Sequence, residues 1–99
     1  MEKTQTKQHE SITESRDVTG TDFASFIGVD LHKTTVTLRA VDPEENIISS
    51  LTIDTKCVNK IEDWLNTLPK PRWMAVETVS FVEWFIDRYR NCVERIDIA

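Results

Sequence analysis

The sequence predicts an α/β fold built on a mixed sheet, in the order β-β-β-α-β-α-β. Three observations predict it. Residues 25–53 read as three strands with short links. Residues 58–68 switch to a helical period that two prolines end. An apolar run at 72–79 precedes a second helical stripe, and residues 95–99 begin one more strand.

The elements follow in order. "SFIGVDL" (25–31) reads as a buried strand. "TTVTLRAV" (34–41) alternates, with Val36, Leu38 and Ala40 on one face and Thr35, Thr37 and Arg39 on the other. "DPEEN" (42–46) is a turn in which Pro43 fixes the backbone angle. "IISSLTI" (47–53) reads as a third strand, and the short links make these three an antiparallel meander. Val58, Ile61, Trp64, Leu65 and Leu68 then share one helical face, closed by Pro69 and Pro71. "RWMAVETV" (72–79) is apolar enough for a strand covered on both faces. "SFVE" (80–83) fits a capping box, with Ser80 capping and Glu83 reaching back. Phe81, Phe85, Tyr89 and Cys92 form the stripe of the second helix. No internal repeat is visible.

The bulk properties set limits. Ninety-nine residues make one domain with a modest core. Residues 1–22 hold no Leu, Phe, Trp or Tyr, so they read as a disordered polar tail, and 23–99 as the folded domain. The net charge of −5 argues against a free-standing nucleic-acid binder, which needs clustered Lys and Arg. No apolar run is long enough to span a bilayer, and the N-terminus lacks the apolar core of a signal peptide. A cytoplasmic protein is expected. Cys57 and Cys92 have no metal-type spacing and read as buried, reduced thiols.

This order matches a ribonuclease H-like mixed sheet, incomplete at its C-terminus. Right-handed crossovers bring the fourth strand beside the first, parallel to it. Asp30 and Glu77 then both lie toward carboxyl ends of neighbouring strands, where open α/β sheets bind ligands. Two carboxylates so close repel each other unless a cation lies between them. Oxygen ligands suit Mg²⁺ or Mn²⁺, and such ions serve phosphodiester chemistry. Asp30 and Glu77 are thus the candidate metal ligands and catalytic acids. The plain reading stays beside this one: an acid near a strand end can cap a loop or meet a lysine. His32 and Lys33 read as a solvated turn, Asp97 as an ordinary strand position, and Trp64, Trp73 and Trp84 as core or helix–sheet packing.

"FIGVDLHKTTVTLRAVDPEENIISSLTIDT" and "IEDWLNTLPKPRWMAVETVSFVEWFIDRYR" resemble the N-terminal domain of the DEDD transposases of insertion-sequence family 110, themselves similar in fold to the RuvC Holliday-junction resolvase. "IGVDLHK" (27–33) fits the family's first-strand motif G-[IV]-D-x-[HS]-K, so the resemblance makes Asp30 the first catalytic acid. "AVETVS" (75–80) matches the Glu of the strand-end [ML]-E-[AS]-T-G segment, which maps onto Glu77. Thr78, Val79 and Ser80 stand where the family has Ala, Thr and Gly. The family's D-x-x-D acids and its serine-bearing C-terminal domain are not in these 99 residues. The resemblance therefore implies the truncated N-terminal part of a DNA transposase, expected to be inactive alone. The full-length family recombines DNA with Mg²⁺ and an element-encoded guide RNA, as oligomers; cation binding here is expected to be weak or absent.

Two other readings compete. The opening strand ending G-[IV]-D also suits an ATPase or sugar kinase of the actin-like class, although Leu31-His32-Lys33-Thr34 offers no glycine for a phosphate. The chain can also be a non-catalytic remnant that only pairs with full-length transposase copies.

Overall fold

The computed structural model describes residues 13–15, 22–78 and 82–98. Eight elements and one 3₁₀ turn follow one another: β1 (Thr13–Ser15), β2 (Ser25–Leu31), β3 (Thr35–Val41), β4 (Ile47–Asp54), α1 (Val58–Asn66), β5 (Arg72–Thr78), α2 (Glu83–Tyr89), the 3₁₀ turn (Arg90–Cys92) and β6 (Arg95–Ile98). The six strands form one mixed sheet in the order β1-β6-β5-β2-β3-β4. The meander β2-β3-β4 is antiparallel, whereas β5 runs parallel to β2 and β6 parallel to β5. The fold is α/β with a mixed sheet, as the sequence predicts.

One strand is additional to the expected order. Thr13–Ser15, inside the segment read as a disordered tail, pairs antiparallel with Arg95–Asp97. Its sequence, TES, has no apolar residue to signal a strand; its place is fixed by backbone pairing. Of the rest of 1–22, only Asp22 is among the described residues.

Both helices cover the same face of the sheet. Trp64 of α1 donates its indole N–H to Ser49 of β4 at 2.9 Å. Tyr89 of α2 points its hydroxyl at the carbonyl of Val58 (3.4 Å), and Arg88 lies 3.5 Å from Glu62 of α1. Between helices and sheet lies one core that includes Ile27, Val29, Leu38, Ile61, Leu65, Met74, Phe85 and Tyr89. Burying such side chains supplies the main drive for folding. Tyr89 packs 4.6 Å from Phe85, and burial pushes its hydroxyl pKa up to about 12.

The other face carries no helix among the described residues. The expectations that β5 is covered on both faces and that β2 is a buried strand are therefore corrected. Along β2, Gly28 and Asp30 are exposed between buried Ile27, Val29 and Leu31. Along β5, Ala75 and Glu77 are exposed on either side of buried Val76. A second correction concerns α2. It starts at Glu83 with Val82 as N-cap and no side-chain cap, so Glu83 opens the helix instead of closing a box. Ser80 and Phe81 lie outside the described residues. Two further expectations shift: Trp84 is 39% exposed, and Cys57 is only half-buried whereas Cys92 is buried. Both cysteines are free.

The 42–46 turn forms as expected and is held by an acid. Asp42 accepts the backbone N–H groups of Glu44 and Asn46, each at 2.9 Å, and the Asn46 amide at 3.2 Å. The chain then passes through Glu45 at φ 70°. These hydrogen bonds, led by that from the Asn46 backbone, hold the Asp42 carboxyl below its ordinary pKa of 3.8. A carboxyl with a lowered folded pKa adds stability above its unfolded pKa and loses it as pH falls through the folded one. Asp42→Asn is thus expected to flatten the acid limb of stability below about pH 4, measured by urea midpoints across pH. An unchanged acid limb would show that the turn adds nothing to the linkage.

Candidate functional site

The uncovered face is organised in rows, because strand partners in register point the same way. The first row reads Glu77, Asp30, Thr37, Thr52 across β5, β2, β3 and β4. The second reads Asp97, Ala75, Gly28, Arg39, Ser50 across β6 to β4. The third begins with Arg95, Trp73, Phe26 and Val41.

Asp30 and Glu77 are direct partners in neighbouring parallel strands. Each is the penultimate residue of its strand, so both stand at the carboxyl edge. Neighbouring strands lie about 4.8 Å apart, which sets the two carboxylates side by side. These are the two acids expected to meet, and the strand register brings them together. Both are exposed. Asp30 Oδ2 lies 3.2 Å from His32 Nε2 in the β2–β3 turn, with both side chains 60% exposed. No lysine or arginine pairs with either acid among the described residues.

The donor chemistry of this pair fits a hard divalent cation. Mg²⁺ is commonly held by one or two carboxylates, with water and substrate phosphate completing its shell. Among the described residues no group of three or more His, Cys, Asp and Glu side chains gathers as a fuller cage. Asp30 and Glu77 are thus the residues that could hold such an ion.

Sequence reasoning missed the neighbours. Thr37 Oγ1 and Thr52 Oγ1 lie 3.2 Å apart in the acid row. Arg39 stands exposed in the next row, beside Gly28, above which a Cβ would meet nothing within 4 Å. The alternation of 34–41 is the signal for them: it puts Thr37 and Arg39 on one face, and that face is the open one.

The other candidates are accounted for by packing. Asp97 accepts the Trp73 indole N–H at 2.8 Å and lies 3.4 Å from Arg95. Trp73 is held between Phe23, Phe26 and the Arg95 guanidinium, which stacks 4.1 Å from its ring centre. This tryptophan packs on the open face, not against a helix. In the β2–β3 turn the His32 N–H is spent on the Thr35 carbonyl at 2.9 Å. That turn lacks glycine as well, which counts against a nucleotide-phosphate hairpin.

No protein-family model matches the chain, and no curated protein matches it significantly. Among the described residues no helix is long and apolar enough to cross a membrane.

Proposed function

We propose that the chain is the N-terminal part of a DEDD, RuvC-like DNA transposase with a ribonuclease H-like fold. The observation that carries this reading is the register pairing of Asp30 with Glu77 at the carboxyl edge of two adjacent parallel strands. The sheet order supports the fold: with β2 counted as first strand, β4-β3-β2-β5-β6 reads third, second, first, fourth, fifth. The "IGVDLHK" and "AVETVS" segments, whose resemblance to family 110 transposases singled out these acids, supply Asp30 and Glu77.

The chemistry follows from the row. Asp30 and Glu77 would hold Mg²⁺ or Mn²⁺, which when bound neutralises charge developing on a phosphodiester. Arg39 and the Thr37 and Thr52 hydroxyls face the same side and can meet phosphate oxygens. Two acids alone bind such an ion weakly, so these 99 residues are expected not to cleave DNA unaided. DNA, guide RNA and full-length transposase copies are the partners this reading implies.

The test is Mn²⁺ titration of the ¹⁵N-labelled chain. Paramagnetic broadening is expected to centre on the amides of 29–32 and 76–78, and to vanish in Asp30→Asn and Glu77→Gln while the spectra stay dispersed. Broadening centred instead on the acidic turn at 42–45 would sink the reading.

A further inference from the structure

We propose that His32 and Asp30 form a second chelate beside the Asp30–Glu77 pair, one that takes a borderline divalent cation of the Zn²⁺ class. The chelate rests on the proposed reading of Asp30 as a metal ligand and adds a second class of cation to it. His32 stands two residues beyond Asp30. Side chains two apart along an extended chain point to the same face. Leu31 between them is buried in the core, which fixes both on the open side. The result is His32 Nε2 at 3.2 Å from Asp30 Oδ2.

That distance discriminates between two uses of the pair. A charge-assisted hydrogen bond draws nitrogen and oxygen to about 2.7–2.9 Å, and an ordinary one reaches its outer limit at about 3.2 Å. Two neighbouring ligands about 2.1 Å from one metal stand about 3.0–3.4 Å apart, from a right angle to the tetrahedral angle. The observed separation lies in the middle of the second range. Stability gives little reason for the pair, because both side chains are 60% exposed and such contacts add little. The turn that carries His32 is nevertheless braced at three points. The His32 N–H donates to the Thr35 carbonyl at 2.9 Å, the Thr55 N–H to the Thr34 carbonyl at 2.9 Å, and the Thr55 hydroxyl to the Lys33 carbonyl at 3.5 Å. A held backbone keeps the imidazole within reach of Asp30, as a preorganised ligand requires. Ligand type then names the cation. Mg²⁺ takes oxygen and dehydrates reluctantly. Imidazole suits Zn²⁺ and the later first-row divalent ions. Among the described residues Glu77 does not join His32 and Asp30 in a three-donor group. Water therefore completes the shell, and an open position of that kind can accept a phosphoryl oxygen.

Titration of the full chain with Zn²⁺ and, separately, Mg²⁺ tests it, read by calorimetry and by the ring ¹⁵N resonances of its two histidines, His9 and His32. Expected is tighter binding of Zn²⁺ than of Mg²⁺, with a shift of the His32 Nε2 resonance that Zn²⁺ causes and Mg²⁺ does not. Removing a group one shell out from a metal already costs about 10–100-fold in affinity. His32→Ala, which removes a ligand itself, is therefore expected to lower Zn²⁺ affinity about tenfold or more and to leave Mg²⁺ affinity within about twofold. Its amide spectrum should stay dispersed, because the backbone bond to Thr35 remains. Glu77→Gln is expected to do the reverse, weakening Mg²⁺ and sparing the Zn²⁺ shift at His32. Zn²⁺ that leaves the His32 ring unshifted overturns the proposal, as does Zn²⁺ that acts only at His9 or at the amides around Cys57. So does undiminished Zn²⁺ affinity in His32→Ala. Failure of the proposed function reads differently: Mg²⁺ and Mn²⁺ would leave residues 76–78 undisturbed while the Zn²⁺ shift at His32 persists.

Discussion

Replacing Arg72 by leucine is expected to lower stability by about 3 kcal/mol, a large share of what a domain of this size holds. Arg72 opens β5 and is only 3% exposed. Its guanidinium donates to the Cys92 carbonyl at 2.7 Å, to that of Leu68 at 2.9 and 3.0 Å, and to that of Asn66 at 3.2 Å. Those carbonyls lie at and just beyond the end of α1 and at the end of the 3₁₀ turn, where a helix leaves acceptors unmet and the dipole favours a cation. Each hydrogen bond to a charged group is worth roughly 1.5–3 kcal/mol. Relief of the buried charge returns part of their sum, so the net loss is near that of one such bond and not three. The backbone N–H of Arg72 keeps its own partner, Glu94 at 2.7 Å, in any variant. Arg72→Lys retains the charge but lacks the fork that reaches three carbonyls, so it should fall between. Urea unfolding measures both. A leucine variant with an unchanged midpoint would show that water satisfies these carbonyls.

Arg72 also marks where sequence reading stops. It begins an apolar run, and in sequence it looks like the polar edge of a strand. Its role depends on the ends of α1 and the 3₁₀ turn converging on one point, which no local pattern encodes. The same limit applies to the open face. Val29, Asp30 and Leu31 read as one buried strand because apolar density was legible and helix placement was not. Both helices chose one face, so Asp30 costs nothing in burial where a covered strand would have charged heavily. Element order was legible for a different reason. The period changes from two to 3.6 at Val58, and Pro69 and Pro71 end the helix irrespective of tertiary context.

The acid pair was legible because topology does the work of distance. Once β5 is placed parallel beside β2, the only open question is register, and Asp30 opposite Glu77 is the observed one. The start of α2 was less legible. A Ser-x-x-Glu pattern signals a cap only if the helix begins there, and the chain begins its helix at Glu83. Three strand residues at 13–15 were illegible altogether, since a polar segment pairs through its backbone.

Asp30→Asn and Glu77→Gln are expected to act in opposite directions with and without divalent cation. Without it, each removes a like-charge pair in register across two strands. Both groups are exposed, so the gain should lie at the low end of cross-strand effects, about 0.3 kcal/mol. The double variant should gain little more than either single one, because the first substitution already removes the repulsion. With Mg²⁺ at ten times its dissociation constant, the unaltered chain gains about 1.4 kcal/mol from binding the folded state alone. The carboxamide variants lose most of that gain, so the order of stability inverts as Mg²⁺ is added. Nothing but a shared cation predicts this crossing. An acid that merely caps its own loop predicts destabilisation by Asp30→Asn at every Mg²⁺ concentration. A lysine partner would predict loss with salt instead. Thermal unfolding of the four chains across a Mg²⁺ series, at fixed ionic strength, separates them. Parallel curves would remove the cation from the site and with it the chemical basis for reading Asp30 and Glu77 as catalytic acids.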